Sequence, residues 1–216
     1  MKFILFKNHN TTLIVFVLFV SLLFVSCGKM ITKAYGIKNP KKIEDAVVLQ
    51  KASKNKIEEN NLYYLKASYK KLLDSINGEP ILANTCSKNK AVYNLSQPIQ
   101  ALFFKDTVLI AYYTNCYAGG FPNLKWNRNN SFESFPPKGN APIHEQVKSS
   151  LLVSHFKKIS PSIDKTKQTE YTIIVFWNCF MYRQSRRLIK EIKKSLRHYP
   201  NEVKIYYVNN DNYFAE

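Results

Sequence analysis

The feature that most constrains this chain lies near its C-terminus, where Tyr171 to Trp177 is a run of apolar and aromatic residues with Thr172 as its one polar member. A run of this kind reads as a strand covered on both faces. A helix follows, with Leu188, Ile189, Ile192, Leu196 and Tyr199 on one face and Arg183, Arg186, Arg187, Lys190, Lys193, Lys194 and Arg197 filling the rest. Pro200-Asn201 breaks it, and Val203 to Val208 is a second apolar strand. Strand, helix and strand in this order form a βαβ unit, with a parallel pair and a right-handed crossover.

Upstream, the pattern predicts a helical arm over residues 39 to 79. Asn39-Pro40 resembles an N-cap with Pro at the first helical position, opening a short helix through Ile43, Ala46 and Val47. Leu62, Leu65, Tyr69, Leu72, Leu73 and Ile76 recur at three-and-four spacing, as in a longer helix, and Gly78 with Pro80 supplies its stop. Strands are predicted at Ile81 to Ala83, Gln100 to Phe104 and Val108 to Tyr113; the last two are joined by Lys105-Asp106-Thr107 as a β-hairpin. Residues 117 to 142 read as a long irregular loop whose isolated aromatics have two uses. They could form a binding surface, anchored by Phe121, Trp126 and Phe135 with Arg128 and Lys125 as charged neighbours, or fold back over the sheet. Pro142 then opens a helix through Ile143, Val147, Leu151, Leu152 and Ile159, closed by Pro161. His144 and His155 lie on or near it without partners at metal-ligand spacing, so both are expected to be structural and no metal site is expected.

At the other end, Lys2 and Lys7 precede an apolar run from Leu13 to Val25. At about 1.5 Å of rise per residue this run reaches only about 20 Å, short of the ~30 Å hydrocarbon core of a bilayer. It therefore reads as the core of a signal peptide over residues 1 to 26 and not as a permanent span. Its end, Phe24-Val25-Ser26-Cys27, resembles the bacterial lipobox, with Phe24 where Leu is usual. That resemblance implies that Cys27 is fatty-acylated and becomes the first mature residue, with residues 27 to 38 as a tether. The expected location is the cell envelope, anchored to a membrane. Because no Asp follows Cys27, the outer membrane is favoured over the inner in a Gram-negative cell.

The mature chain of about 190 residues suits one domain with an extension, and 45% hydrophobic with 14% aromatic residues supplies a core. Net charge is +17, falling to +15 once Lys2 and Lys7 are removed. Such an excess attracts anionic surfaces. For an exported, anchored chain these are phospholipid headgroups, acidic glycolipid or wall polymer, with nucleic acid not expected. With Cys27 assigned to lipid, Cys86, Cys116 and Cys179 remain, an odd number for an oxidising compartment. Three single bridges are possible. Cys86 with Cys116 is favoured, since both sit among polar turn residues (Asn84, Ser87, Asn115) between the helical arm and the βαβ unit.

The run Ile173-Ile174-Val175-Phe176-Trp177, a cysteine at the start of the next helix, and Val203 to Val208 followed by Asn210-Asp211 resemble the first βαβ unit of the thioredoxin superfamily. In that family a C-x-x-C pair opens the helix, where amides and dipole stabilise the first thiolate. Cys179 matches the first position, but Tyr182 stands at the second. The hairpin and the helix after Pro142 precede the βαβ unit, whereas the family places such pieces after it. Either a permuted thioredoxin-like sheet or a plain α+β sheet results.

The expected class is thus α+β or α/β: a helical arm, a hairpin and a thioredoxin-like unit in a mixed sheet over residues 80 to 216. No P-loop, G-x-S-x-G, H-E-x-x-H or EF-hand pattern is present, and no carboxylate pair suggests acid-base catalysis. Three functions fit: an anchored, redox-inactive thioredoxin-like binding or structural lipoprotein with an envelope partner; a monothiol redox protein using Cys179; and an electrostatic binder of anionic glycolipid or polymer. The first is preferred, because the second cysteine is missing, and no cofactor is expected.

Overall fold

In a computed structural model of the chain, the apolar run Tyr171–Trp177 is a central strand of a six-stranded mixed sheet. The structure describes residues 32, 35 to 78, 92 to 115, 125 to 143, 145, 147 to 160, 169 to 197, 199 and 203 to 216. The signal segment, Cys27, the strand at Ile81 to Ala83, Cys86, Cys116, Phe121 and His144 lie outside them. The chain divides into two units, Met1–Lys38 and Asn39–Glu216, and the sheet belongs wholly to the second.

The strands are β1 (Leu62–Leu65), β2 (Gln100–Lys105), β3 (Val108–Thr114), β4 (Phe156–Lys158), β5 (Tyr171–Trp177) and β6 (Val203–Asn209), in the order β3-β2-β5-β6-β1-β4. β5 and β6 are parallel, Tyr171 facing Val203 and Trp177 facing Asn209, as the βαβ reading requires. The hairpin β2-β3 packs antiparallel against β5 on the side away from β6. β1 adds in parallel to the far side of β6, and β4 closes that edge antiparallel to β1. The helices are α1 (Asp45–Lys54), α2 (Tyr69–Gly78), α3 (Ser149–Val153), α4 (Tyr182–Leu196) and α5 (Asp211–Phe214). The chain is of the α+β class.

Three expectations change. Leu62 and Leu65 belong to a strand and not to the start of a long helix. The three-and-four spacing bridges two elements, because β6 and β4 offer ladders on both sides of this short segment and its leucines are buried. Residues 39 to 79 are therefore no separate arm, since they supply a strand to the common sheet. α1 begins at Asp45 and not at Pro40. The helix expected after Pro142 shrinks to α3; Ile143 and Leu151 are exposed, and Phe156 leaves the helical path to pair with Leu65.

Strand alternation sends side chains to two faces. Leu102, Phe104, Ile174, Phe176, Tyr206 and Val208 form one core with Tyr69, Leu72 and Leu73 of α2 and Leu152 of α3. The opposite face carries Phe103, Tyr113, Ile173, Val175 and Tyr207. There Tyr64 donates to Asp45 of α1 at 2.7 Å and Lys193 of α4 lies over the Tyr207 ring, so α1 and α4 cover this face.

The hairpin half of the same face is covered by the loop. Trp126 is buried and its indole N–H donates to the Gln184 carbonyl of α4 at 3.1 Å. Phe132 stacks on Tyr113 at 4.5 Å, and Phe135 packs on Tyr199 and Tyr171 at 4.6 and 5.1 Å. Of the two uses weighed for these aromatics, Trp126 and Phe135 take the second and fold back over the sheet. Arg128 is exposed in a short turn, Arg128–Asn130. The loop ends by clasping β3: Asn140 and Ala141 N–H groups donate to the Tyr112 carbonyl, and the Asn140 amide meets Thr114 N–H at 2.9 Å and its carbonyl at 3.2 Å.

Candidate functional site

Parallel strands end together, so the carboxyl ends of β5 and β6 bring two loops side by side. These loops are Asn178 to Met181, before α4, and Asn210 with α5. In α/β sheets this end is where ligands and reactive groups gather. The helix starts at Tyr182 and not at the cysteine, so Cys179 sits in the turn before it, half-buried.

Asn178 organises that turn. Its N–H donates to Ser185 Oγ and its Oδ1 accepts from Met181 N–H at 2.8 Å. Its Nδ2 donates to the Pro98 carbonyl at 2.9 Å and to Asn210 Oδ1 at 3.1 Å, while Asn210 Nδ2 donates to the same carbonyl. Pro98 is in turn placed by the segment before β2, where Gln100 Nε2 donates to the Leu95 and Gln97 carbonyls and Tyr112 donates to Gln100 Oε1. The three chain segments are therefore tied by amide side chains that are almost fully buried.

Asp211 holds the cysteine end. Its carboxyl accepts from Cys179 N–H at 2.9 and 2.7 Å, from Phe180 N–H at 3.3 Å and from Asn209 Nδ2 at 2.8 Å. Burial pushes the Asp211 carboxyl above its ordinary pKa, and these hydrogen bonds offset part of that rise. Tyr64 is close enough to feel both groups: burial raises its hydroxyl first, the hydrogen bond to Asp45 adds to this, and the charges of Asp211 and Cys179 contribute last.

Chemically, this arrangement fixes the backbone that carries the thiol. An activated cysteine draws on nearby amides or a cation, and here the amides of Cys179 and Phe180, in the turn before the helix, are taken by the Asp211 carboxyl.

The chain matches no family model, no curated protein and no solved structure.

Two clefts of about 390 and 290 Å³ are lined by residues such as Leu49, Lys56 and Glu58, and by Lys56, Lys193, Arg197 and Tyr207; neither includes Cys179 or Asp211. Among the described residues no group of His, Cys, Asp and Glu could hold a metal ion. His155 accepts or shares a proton with Ser68 Oγ at 2.9 Å and meets Tyr69 edge-on. Burial lowers its pKa, with nearby Lys66 adding to the effect. Ser68 closes the first turn of α2 through its carbonyl, which gives the pair a structural use. Of the candidate site residues, the structure places Cys179, Trp126, Arg128 and Phe135 but does not bring them together. The sequence offered Asn210-Asp211 as carriers of the thioredoxin resemblance without a role of their own, and nothing in it marked Asn178.

Proposed function

We infer that this chain is a cell-envelope lipoprotein, tethered through Cys27, whose sheet domain is a redox-inactive thioredoxin-like module that binds or supports an envelope partner. One observation carries the redox-inactive part: the Asp211 carboxyl occupies the amides of Cys179 and Phe180 that a thiolate would need. Tyr182, at the second position of the pattern, cannot resolve a mixed disulfide, because a phenol with a pKa near ~10 does not displace a thiolate from sulfur. The thioredoxin-like part is supported by the order of the sheet, in which the hairpin lies antiparallel to the first strand of the βαβ unit although it precedes that unit in sequence. This is the arrangement that a permuted form of the family's sheet calls for.

The test is insulin reduction by the chain beginning at Gly28. The expected result is turnover indistinguishable from the no-enzyme rate, unchanged by Cys179→Ser. Turnover that the substitution abolishes would assign the protein to monothiol redox chemistry instead.

A further inference from the structure

α4 fixes its orientation by burying one face: Gln184, Ser185, Leu188, Ile189, Ile192 and Ser195 are all turned into the protein. The opposite face is therefore a permanent part of the surface. At about 100° of rotation per residue, Arg183, Arg186, Arg187, Lys190, Lys194 and Arg197 all fall within an arc of about 100°, and all of them are exposed. The stripe is about 21 Å long. The helix's one acid, Glu191, lies outside the arc. Lys54 and Lys56 at the end of α1 adjoin the stripe, since α1 covers the same face of the sheet and Lys193 donates to the Asn55 and Lys56 carbonyls, and Glu58 shares the cleft there with Lys56 and Arg197.

We propose that this stripe is a docking surface for the anionic headgroups of a lipid bilayer. The row of six cations on a rigid helix outnumbers the acids beside it, Glu58 and Glu191, and matches a plane of phosphates, and the apolar face is turned into the protein, so contact is electrostatic and peripheral. The acyl chains at Cys27 supply the attachment, and the stripe sets how the domain meets the same surface. The segment between Cys27 and Asn39 spans at most about 40 Å when extended, which keeps the domain within reach of the surface to which it is tied. The assignment rests on the envelope lipoprotein reading for the identity of the bilayer. The lipid-free chain from Gly28 is used so that the outcome does not depend on acylation of Cys27.

The experiment is co-sedimentation with phosphatidylcholine vesicles and with vesicles containing phosphatidylglycerol. Binding is expected to the anionic vesicles alone, and to vanish near ~1 M salt, where the Debye length falls to about 3 Å. K190Q/K194Q should weaken it about 25-fold, at about 5-fold per charge. K70Q/K71Q on α2, which covers the other face of the sheet, should leave it within about 2-fold, and the charge-keeping R186K/R187K should bind like wild type. Equal loss in both Lys pairs, equal binding to neutral vesicles, or no binding by protein with a native circular dichroism spectrum would overturn the proposal. So would binding of soluble polyphosphate by a chain that ignores anionic vesicles, because the stripe would then serve a free polymer.

Discussion

Asp211 is the residue on which the candidate site turns. Its removal as Asp211→Ala strands the Cys179 and Phe180 amides and the Asn209 side chain in a dry setting. A loss of about 3 kcal/mol is expected in denaturant titration, from donors left without acceptors. The same variant should alkylate faster at Cys179 with iodoacetamide at neutral pH, since the freed amides can then stabilise a thiolate; an unchanged rate would show that Asp211 does not restrain the thiol. The pH dependence has a definite sign. Burial raises this carboxyl's pKa in the folded protein, so its contribution to stability is complete below the unfolded value near ~3.9 and is lost as pH rises through the raised folded value. Asp211→Asn cannot titrate. The stability gap between wild type and this variant should therefore be widest in acid and narrow toward neutral pH, and a gap that widens with pH contradicts the account. Sequence pattern exposed Cys179 because a cysteine before a helix is a motif. It could not expose the Pro98 carbonyl, which becomes an acceptor for Asn178 and Asn210 only after three distant segments fold together.

Among the elements, the βαβ unit and the hairpin were legible because each is specified locally, by an apolar run, a one-sided helix and a short polar turn. β1 was not, because Leu62-Tyr63-Tyr64-Leu65 carries a spacing equally at home in a helix and becomes a strand only through partners far along the chain. Leu62→Ala should cost about 3 kcal/mol, as for a leucine deleted from a close-packed core; near-neutral behaviour would mean that the segment is not inside the sheet. The loop over the hairpin makes its own prediction. Gly139 has φ +71°, and a Cβ there would lie 3.0 Å from the backbone N and O of Tyr112. Gly139→Ala should thus lose about 2 kcal/mol, from a left-handed backbone and a contact with backbone atoms that cannot yield, and differential scanning calorimetry would read it as a lower Tm.

For the whole molecule, the anchoring reading has the most direct check: a fatty-acid analogue should label wild type, and Cys27→Ser should take up none. Label retained by that variant would remove the envelope assignment, while the fold would stand. The position of β1 also bears on the order of events as the chain is made. Leu65 finds Phe156 of β4, but Leu62 pairs with Tyr207 and Tyr64 with Asn209, so one whole side of this early strand waits for a partner far along the chain. Pairings this distant in sequence close slowly, because the intervening chain must be gathered first. A polypeptide wired in this way cannot complete its sheet from its first half alone, so β1 stays paired on one side at most until β6 has been made.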